Sequence, residues 1–298
     1  MNYYQILKIT GIILLLFSFF LLIPIGVSIY YNQGLDGFIQ SFLIIFFSGL
    51  ITYFPNKDQK SHIKIKEGFL IVAIFWFVLS VFGSIPFLLD KQLNLSFVDA
   101  IFESTSGWTT TGASIITNLD ELSRPILLYR QLLQWLGGIG IVVLVLAILP
   151  ILGVGGMYLY KAETSSPIKD NKLSPRITET AKSLWGVYLI LTIACAVAYK
   201  VAGMNYFDAI GHSFSTVSIG GFSTHNASIG FYSSDIIKII CILFMFISAL
   251  NFVLHFLFYK TRSFQNYFSN SEMKTFLSII IGLLFLISLF SIGGRLTE

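Results

Sequence analysis

Two short segments of the chain combine hydroxyl side chains with glycine, the residue types that can line a path for a cation. Asp99–Ser114 has the sequence DAIFESTSGWTTTGAS, and it recurs without a gap as Asp208–Ser223, DAIGHSFSTVSIGGFS. Seven of the sixteen paired positions are identical, and Gly112 pairs with Gly221. Extended loops of this kind expose backbone carbonyls, which can replace the hydration shell of an ion. The chemistry that fits is the dehydration and passage of a monovalent cation.

Each segment predicts a short helix followed by an extended piece. Asp99 and Asp208 are good N-cap residues, which predicts helices over Asp99–Trp108 and Asp208–Val217. The carboxyl end of a helix carries about half a negative charge, and this charge stabilises a cation that lies close to that end. Glycine in the following loop permits backbone angles that a side chain would forbid. A structural turn between two helices is the alternative interpretation of the same residues.

The composition indicates that these segments belong to a membrane protein. Hydrophobic residues make up 55% of the chain and charged residues 11%, whereas a soluble domain carries about 25% charged residues. The apolar runs are continuous, which excludes the alternating pattern of a transmembrane barrel. A net charge of +4 does not indicate a nucleic-acid-binding protein. The fold class is therefore an all-α polytopic membrane protein.

Seven apolar runs are long enough to cross a bilayer. The first is too long for a signal peptide and no small-residue cleavage site follows it, so we interpret it as a retained transmembrane helix. The seven runs are Ile9–Tyr31, Phe38–Phe54, Phe69–Leu89, Ile126–Ile151, Leu184–Val201, Ile236–Tyr259 and Thr275–Ile292.

The distribution of basic residues predicts that the two repeated segments are re-entrant loops. Each segment lies between two full crossings and is too short to cross by itself. If both enter from the outer face and the N-terminus is cytoplasmic, 13 of the 19 Lys and Arg residues lie inside, as the positive-inside rule requires. The six that remain outside are Lys91, Arg124, Arg130, Lys200, Lys238 and Arg295.

This topology divides the chain into helix–pore loop–helix repeats after two leading helices. Two repeats are complete and a third is begun. A polar linker, Glu163–Pro175, separates the first two repeats. The predicted domains are 1–60 for the leading helices, 61–163 and 175–262 for the complete repeats, and 271–298 for the first helix of the third repeat.

Three motifs together resemble the Trk/Ktr/HKT superfamily of potassium transporters, and most closely its Trk-type membrane subunit. They are ESTSGWTTTGAS at Glu103–Ser114, QWLGGIGIVVL at Gln134–Leu144, and STVSIGGFSTH at Ser215–His225. The similarity extends through essentially the whole chain. In that family one chain carries four helix–pore loop–helix repeats around one potassium pore. Each repeat contributes a simplified filter with one key glycine.

The resemblance implies roles for the residues of both loops. The key glycines are Gly112 and Gly221, and the coordinating carbonyls belong to Thr110, Thr111, Ile219 and Gly220. Potassium is then expected at Thr111, Gly112, Gly220 and Gly221, with supporting hydroxyls from Thr109, Ser114, Ser218 and Ser223. The ion is the transported species, and no cofactor or enzymatic activity is expected.

The resemblance also implies a homodimer in the lipid bilayer of the bacterial inner membrane, gated by a cytosolic TrkA-like nucleotide-binding regulatory subunit. The third repeat is only begun, so the family's third-repeat gating loop and the arginine of its fourth repeat have no counterpart in these residues. The alternative to a conducting subunit is therefore a truncated, non-conducting fragment or an assembly partner of such a transporter.

Several other polar residues carry expectations. Glu103 and His212 share one repeat position and are expected to form hydrogen bonds around the short helices, with tuning of cation occupancy as the alternative for Glu103. His225 is expected to be solvated. Cys195 and Cys241 lie in apolar runs and are expected to behave as small apolar side chains.

Overall fold

A computed structural model describes residues 3–58, 65–151 and 173–295, and every regular element in these residues is a helix. The all-α prediction is confirmed. The predicted linker Glu163–Pro175 lies largely outside the described residues. The helices are α1 Tyr3–Phe20, α2 Leu22–Tyr31, α3 Leu35–Tyr53, α4 Ile65–Gly83, α5 Ile85–Leu89, α6 Phe97–Trp108, α7 Arg124–Ile151, α8 Leu173–Val201, α9 Tyr206–Val217, α10 Asp235–Ala249, α11 Phe252–Thr261, α12 Gln265–Ser269 and α13 Ser271–Arg295.

Five helical stretches among the described residues are long and apolar enough to cross a membrane, and each coincides with a predicted crossing. They are Tyr3–Tyr31, Leu35–Asn56, Leu70–Leu89, Lys182–Val201 and Ser271–Leu289. The crossing predicted at Ile126–Ile151 corresponds to the 28-residue helix α7.

The crossing predicted at Ile236–Tyr259 is not one continuous helix. It ends at Ala249 and a new helix begins at Phe252. Asparagine is a poor residue inside a helix because its side chain competes for backbone groups, and Asn251 stands at the interruption. The His255 Nε2 atom lies 2.9 Å from the Ile247 carbonyl oxygen. The imidazole of His255 therefore provides a hydrogen-bond partner for the Ile247 carbonyl, which lies in the last turn before the interruption.

The chain divides into two compact units, Met1–Met245 and Phe246–Glu298. Both short helices, α6 and α9, and the loops that follow them lie in the first unit. The potential cation site is therefore built entirely from residues of the first unit. In the second unit, the side-chain amide of Asn251 donates to Glu272 Oε2 at 3.0 Å.

The leading helices support the first repeat through aromatic contacts. The Phe17 ring of α1 meets the buried Trp108 ring of α6 edge-on, with centroids 5.2 Å apart. Phe38 of α3 packs on Tyr129 of α7 at 5.6 Å. The Tyr129 hydroxyl in turn donates to the Gly83 carbonyl at 2.8 Å. The first of these contacts lies at the end of α6, from which the first loop departs.

Candidate functional site

The two short helices begin two residues earlier than predicted, and the predicted N-caps are wrong. Ser96 and Asn205 are the caps, and they accept hydrogen bonds from the backbone N–H of Asp99 at 3.2 Å and of Asp208 at 2.8 Å. Each aspartate occupies the third helical position, and its carboxylate binds the cap side chain in return, at 2.7 and 2.6 Å. This reciprocal pattern satisfies backbone donors and puts negative charge at the positive helix end.

The first loop leaves α6 through a compact turn. The Thr110 N–H donates to the Gly107 carbonyl at 3.0 Å, and the Thr111 N–H donates to the Ser106 carbonyl at 3.0 Å. These two bonds form a Schellman motif, which closes the end of a helix. The N–H groups of Thr110 and Thr111 therefore point back toward helix carbonyls. They do not point toward the opposite side of the loop.

The second loop leaves α9 through the same turn. The Ile219 N–H donates to the Thr216 carbonyl at 3.1 Å, and the Gly220 N–H donates to the Ser215 carbonyl at 2.8 Å. Every donor and acceptor occupies the position that the gapless sequence alignment assigns to it. The backbone thus repeats as the sequence does.

Both loops contain backbone conformations that side chains rarely adopt. Thr110 and Ile219 have positive φ angles of 54° and 55° at the position where a Schellman motif normally has glycine. For a branched residue this conformation costs roughly 1–2 kcal/mol. Gly112 and Gly221 follow with φ angles of 77° and 86°. Strain kept at equivalent positions in both copies is typical of functional segments.

The two loops meet at Gly112. A Cβ atom added to Gly112 would lie 2.0 Å from the Gly220 carbonyl oxygen, so no side chain fits there. At Gly221 an added Cβ would meet no other atom of the described residues within 4 Å, its own chain neighbours aside. Gly112 is therefore required by its conformation and by lack of space, whereas Gly221 is required by its conformation.

The hydroxyl groups nearest the glycines bond locally. Thr109 Oγ1 donates to the Thr105 carbonyl at 2.7 Å and lies 2.8 Å from Thr111 Oγ1. Ser218 Oγ donates to the Ser215 carbonyl at 3.3 Å. These hydrogen bonds stabilise the turns from which the two loops depart.

Two further serines tie each loop back to its own helix. Ser114 Oγ donates to Glu103 Oε1 at 3.0 Å, and the Ile115 N–H donates to Glu103 Oε2 at 3.1 Å. In the second repeat, His212 Nε2 lies 2.9 Å from Ser223 Oγ. The expectation of hydrogen bonds around the short helices is confirmed. Glu103 and His212 perform the same task with different chemistry.

Arg130, which the charge distribution counts on the outer side, is buried within the protein. It lies in α7 with 1% of its surface exposed. Its Nε donates to Glu103 Oε1 at 2.8 Å, its Nη2 to Ser114 Oγ at 2.8 Å, and its Nη1 to the Ser223 carbonyl at 3.2 Å. The guanidinium therefore joins both loops. The available signal was an ionisable residue just inside an apolar helix, which usually has a buried partner.

His225 is not solvated as expected, since only 16% of its side chain is exposed. Its Nδ1 lies 2.5 Å from Asp120 Oδ1 and its Nε2 lies 3.1 Å from Asp208 Oδ2. The Asn226 amide also donates to Asp120 Oδ2 at 3.1 Å. The hydrogen bond from His225 lowers the pKa of the Asp120 carboxyl from 3.8. This cluster joins the segments that follow the two loops.

Helix α7 packs against the ends of both short helices through small residues. A Cβ on Gly137 would lie 1.9 Å from the Trp108 carbonyl oxygen, and one on Gly138 would lie 2.9 Å from Ser218 Cβ.

The two buried cysteines, Cys195 and Cys241, are free thiols. The described residues contain no cluster of three or more His, Cys, Asp or Glu side chains that could hold a metal ion. The carbonyl-bearing loops are the candidate cation site.

A family model described as TrkH, cation transport protein, matches residues 35–293. The chain is 50% identical over 289 residues to the Trk system potassium uptake protein TrkH of Halomonas elongata, covering 97% of this chain and 60% of that protein. It is 49% identical over 280 residues to the protein of the same name from Escherichia coli strain K12, with coverages of 94% and 58%.

The fold matches a solved structure as well. The crystal structure of the potassium transporter TrkH from Vibrio parahaemolyticus matches with a TM-score of 0.85 and 47% identity, over 96% of this chain and 58% of that chain. The chain thus spans about 60% of the length of the curated relatives it matches. The family model, the sequence identities and the fold agree. The chain belongs to the TrkH family of cation transport proteins, whose members are transporters and not enzymes.

Proposed function

We propose that this chain forms half of a potassium-selective filter in the inner membrane of a bacterium. The observation that carries the proposal is the pair of adjacent loops with identical backbone closure and a glycine at positive φ in each. Potassium is the proposed ion because the relatives are named as potassium uptake proteins. The coordinating carbonyls in this proposal are those of Thr110, Thr111, Ile219 and Gly220, with the ion held at Thr111, Gly112, Gly220 and Gly221.

The mechanism is replacement of water by backbone oxygens. A potassium ion that enters the filter loses part of its hydration shell, and loop carbonyls take the place of that water. The amides of Thr111 and Gly220 are bonded to helix carbonyls and so do not repel the cation. The carboxyl ends of α6 and α9 add their partial negative charge. Selectivity then depends on how firmly the loops hold the carbonyl positions.

The alternative, a non-conducting fragment or assembly partner, has support in the space beside Gly221. In the first loop, Gly112 contacts the second loop, whereas an added Cβ at Gly221 would meet no atom of the described residues within 4 Å, its chain neighbours aside. A cleft of about 420 Å³ lies there, lined among others by His212, Lys238 and Met245. The first loop contacts the second at Gly112. If the repeat continues, a third loop is expected to contact the second at the equivalent glycine, Gly221. Two loops alone leave one side of the filter open.

A cytoplasmic N-terminus is part of the proposal. The Lys8 ammonium donates to the Lys57 carbonyl at 2.5 Å, so two positions expected inside lie together at one end of the leading helices. At the other end, the Arg124 N–H donates to Gln33 Oε1 at 3.1 Å. The positive-inside rule assigns the first end to the cytoplasm. A homodimer and a cytosolic TrkA-like regulatory subunit complete the proposed assembly, on the strength of the family alone.

A growth and uptake assay tests this function. The chain is expressed alone, or as an extended subunit in which the corresponding remainder of the Vibrio parahaemolyticus relative follows its last residue. The host is a bacterium without potassium uptake systems of its own. We expect the extended subunit to restore growth at low potassium and rubidium uptake, and the chain alone to restore neither, because two loops leave the filter open.

Either of two results would count against the proposal. Equal rescue by the chain alone would contradict the half filter. An extended subunit that reaches the membrane in normal amount and carries no rubidium would contradict the potassium pathway itself.

A further inference from the structure

Gln134 belongs to the first repeat but contacts the filter loop of the second. It lies in α7 and is fully buried, with 0% of its surface exposed. A buried amide side chain is costly unless its donor and acceptor are both paired. Both are paired here, and both partners are backbone groups of the second loop.

The amide of Gln134 spans the second filter glycine. Its Nε2 donates to the Gly220 carbonyl at 2.7 Å, and its Oε1 accepts from the Phe222 N–H at 3.0 Å. The two partners are the residues immediately before and after Gly221. One planar group therefore fixes the peptide on each side of that glycine.

The loop is shaped to admit this side chain. A Cβ added to Gly220 would lie 2.3 Å from Gln134 Cδ, so only glycine at this position allows the amide to approach. The first loop has threonine at the equivalent position, Thr111. The second loop thus has two consecutive glycines for separate reasons: Gly220 admits Gln134, and Gly221 adopts a positive φ of 86°.

The contact matters because little else among the described residues restrains Gly221. Glycine has access to more backbone conformations than any other residue, and an added Cβ at Gly221 would find open space. The neighbouring Gln131 reaches the loop only through a 3.4 Å contact to the Phe222 carbonyl, and its Oε1 has no hydrogen-bond partner among the described residues. Gln134 therefore holds this part of the loop more firmly than Gln131 does.

We propose that Gln134 is a positioning residue that sets the ion specificity of the second filter loop from the neighbouring repeat. This inference rests on the proposed filter function. A carbonyl oxygen has two lone pairs, so the Gly220 oxygen held by Gln134 keeps one for a cation while its direction is fixed. The amide is the one side chain of this size that donates to Gly220 and accepts from Phe222 at once. A glutamate keeps the acceptor and lacks the amide donor, and a methionine lacks both.

The test uses Gln134→Met and Gln134→Glu in the extended subunit, with Gln92→Met as the matched control. Gln92 also binds a backbone amide, that of Ser123 at 3.1 Å, but in the outer segment before α7. Rubidium uptake is measured over a range of rubidium and competing sodium concentrations, at equal amounts of subunit in the membrane. For Gln134→Met we expect the KM for rubidium to rise about tenfold and the preference over sodium to fall about tenfold. Gln134→Glu should lie between wild type and Gln134→Met, and Gln92→Met should match wild type.

A structural role alone would lower the maximal rate or the amount of subunit and leave both KM and selectivity unchanged, and that result would overturn the inference. If Gln134→Met fails to accumulate, the isosteric Gln134→Glu carries the same test. Gly221→Ser is measured beside them. Altered selectivity in Gly221→Ser with wild-type selectivity in the Gln134 variants refutes the inference and leaves the filter standing. Unaltered selectivity in all three variants refutes the filter.

Discussion

Gly112→Ser is expected to abolish rubidium uptake by the extended subunit. An added Cβ would lie 2.0 Å from the Gly220 carbonyl oxygen, a backbone atom that cannot move without displacing the second loop. The positive φ of 77° at Gly112 adds strain of roughly 1–3 kcal/mol for any other residue. Both effects act on carbonyls that are proposed to hold the ion, so uptake should fall further than protein amount in the membrane.

Substitutions at two other glycines distinguish the effect of a steric clash from the effect of backbone strain. Gly221→Ser meets strain without a clash and is expected to weaken the preference for potassium over sodium while leaving measurable uptake. Gly203→Ala is the control, because Gly203 has a positive φ of 107° and an added Cβ there would meet no described atom within 4 Å, but it lies before α9 and the loops follow that helix. If Gly112→Ser transports rubidium as well as Gly203→Ala does, the contact between the two loops has no role in conduction.

Arg130→Met is expected to be the most destabilising change in the site. It leaves the carboxylate of Glu103, which is 0% exposed, without its cationic partner. Removing one partner of a buried ion pair typically costs about 3–5 kcal/mol. It also removes the two guanidinium N–H groups that donate to Ser114 Oγ and to the Ser223 carbonyl oxygen. We expect a large fall in the apparent Tm of the detergent-purified protein and a matching loss of membrane-inserted subunit.

A double-mutant cycle identifies the cause of that loss. Glu103→Leu combined with Arg130→Met removes both charges, and replacing a buried pair by apolar residues is often close to neutral. The double variant should therefore recover much of the Tm lost by Arg130→Met. Two strictly additive losses would show that Glu103 and Arg130 act independently, against the 2.8 Å contact between them.

The features of the site that the sequence predicted are local. The pairing of Gly112 with Gly221 follows from a gapless repeat, and the structure shows both at positive φ. The short helices follow from the same segments, although their caps lie three residues before the expected aspartates. The positive φ of Thr110 and Ile219 could not be predicted, because the usual rule assigns left-handed conformations to glycine or asparagine.

The features that the sequence did not predict are contacts between distant parts of the chain. Arg130 binds Glu103 across 27 positions, Gln134 binds Gly220 across 86, and His225 binds Asp120 across 105. A single sequence contains no signal that pairs residues at such separations. Each of these side chains was visible only as a polar residue in or beside an apolar run. Such residues usually have a partner inside the protein, but the sequence does not say which one.

In the proposed filter, the two loops hold a potassium-like ion through their backbone carbonyls. The most direct measurement is anomalous diffraction from crystals of the extended subunit grown in rubidium or thallium. We predict an anomalous peak beside the loops, within direct coordination distance of carbonyl oxygens at Thr110–Thr111 and Ile219–Gly220. If a transporting subunit binds the ion elsewhere in its crystals and leaves these carbonyls uncoordinated, the two loops are not the filter.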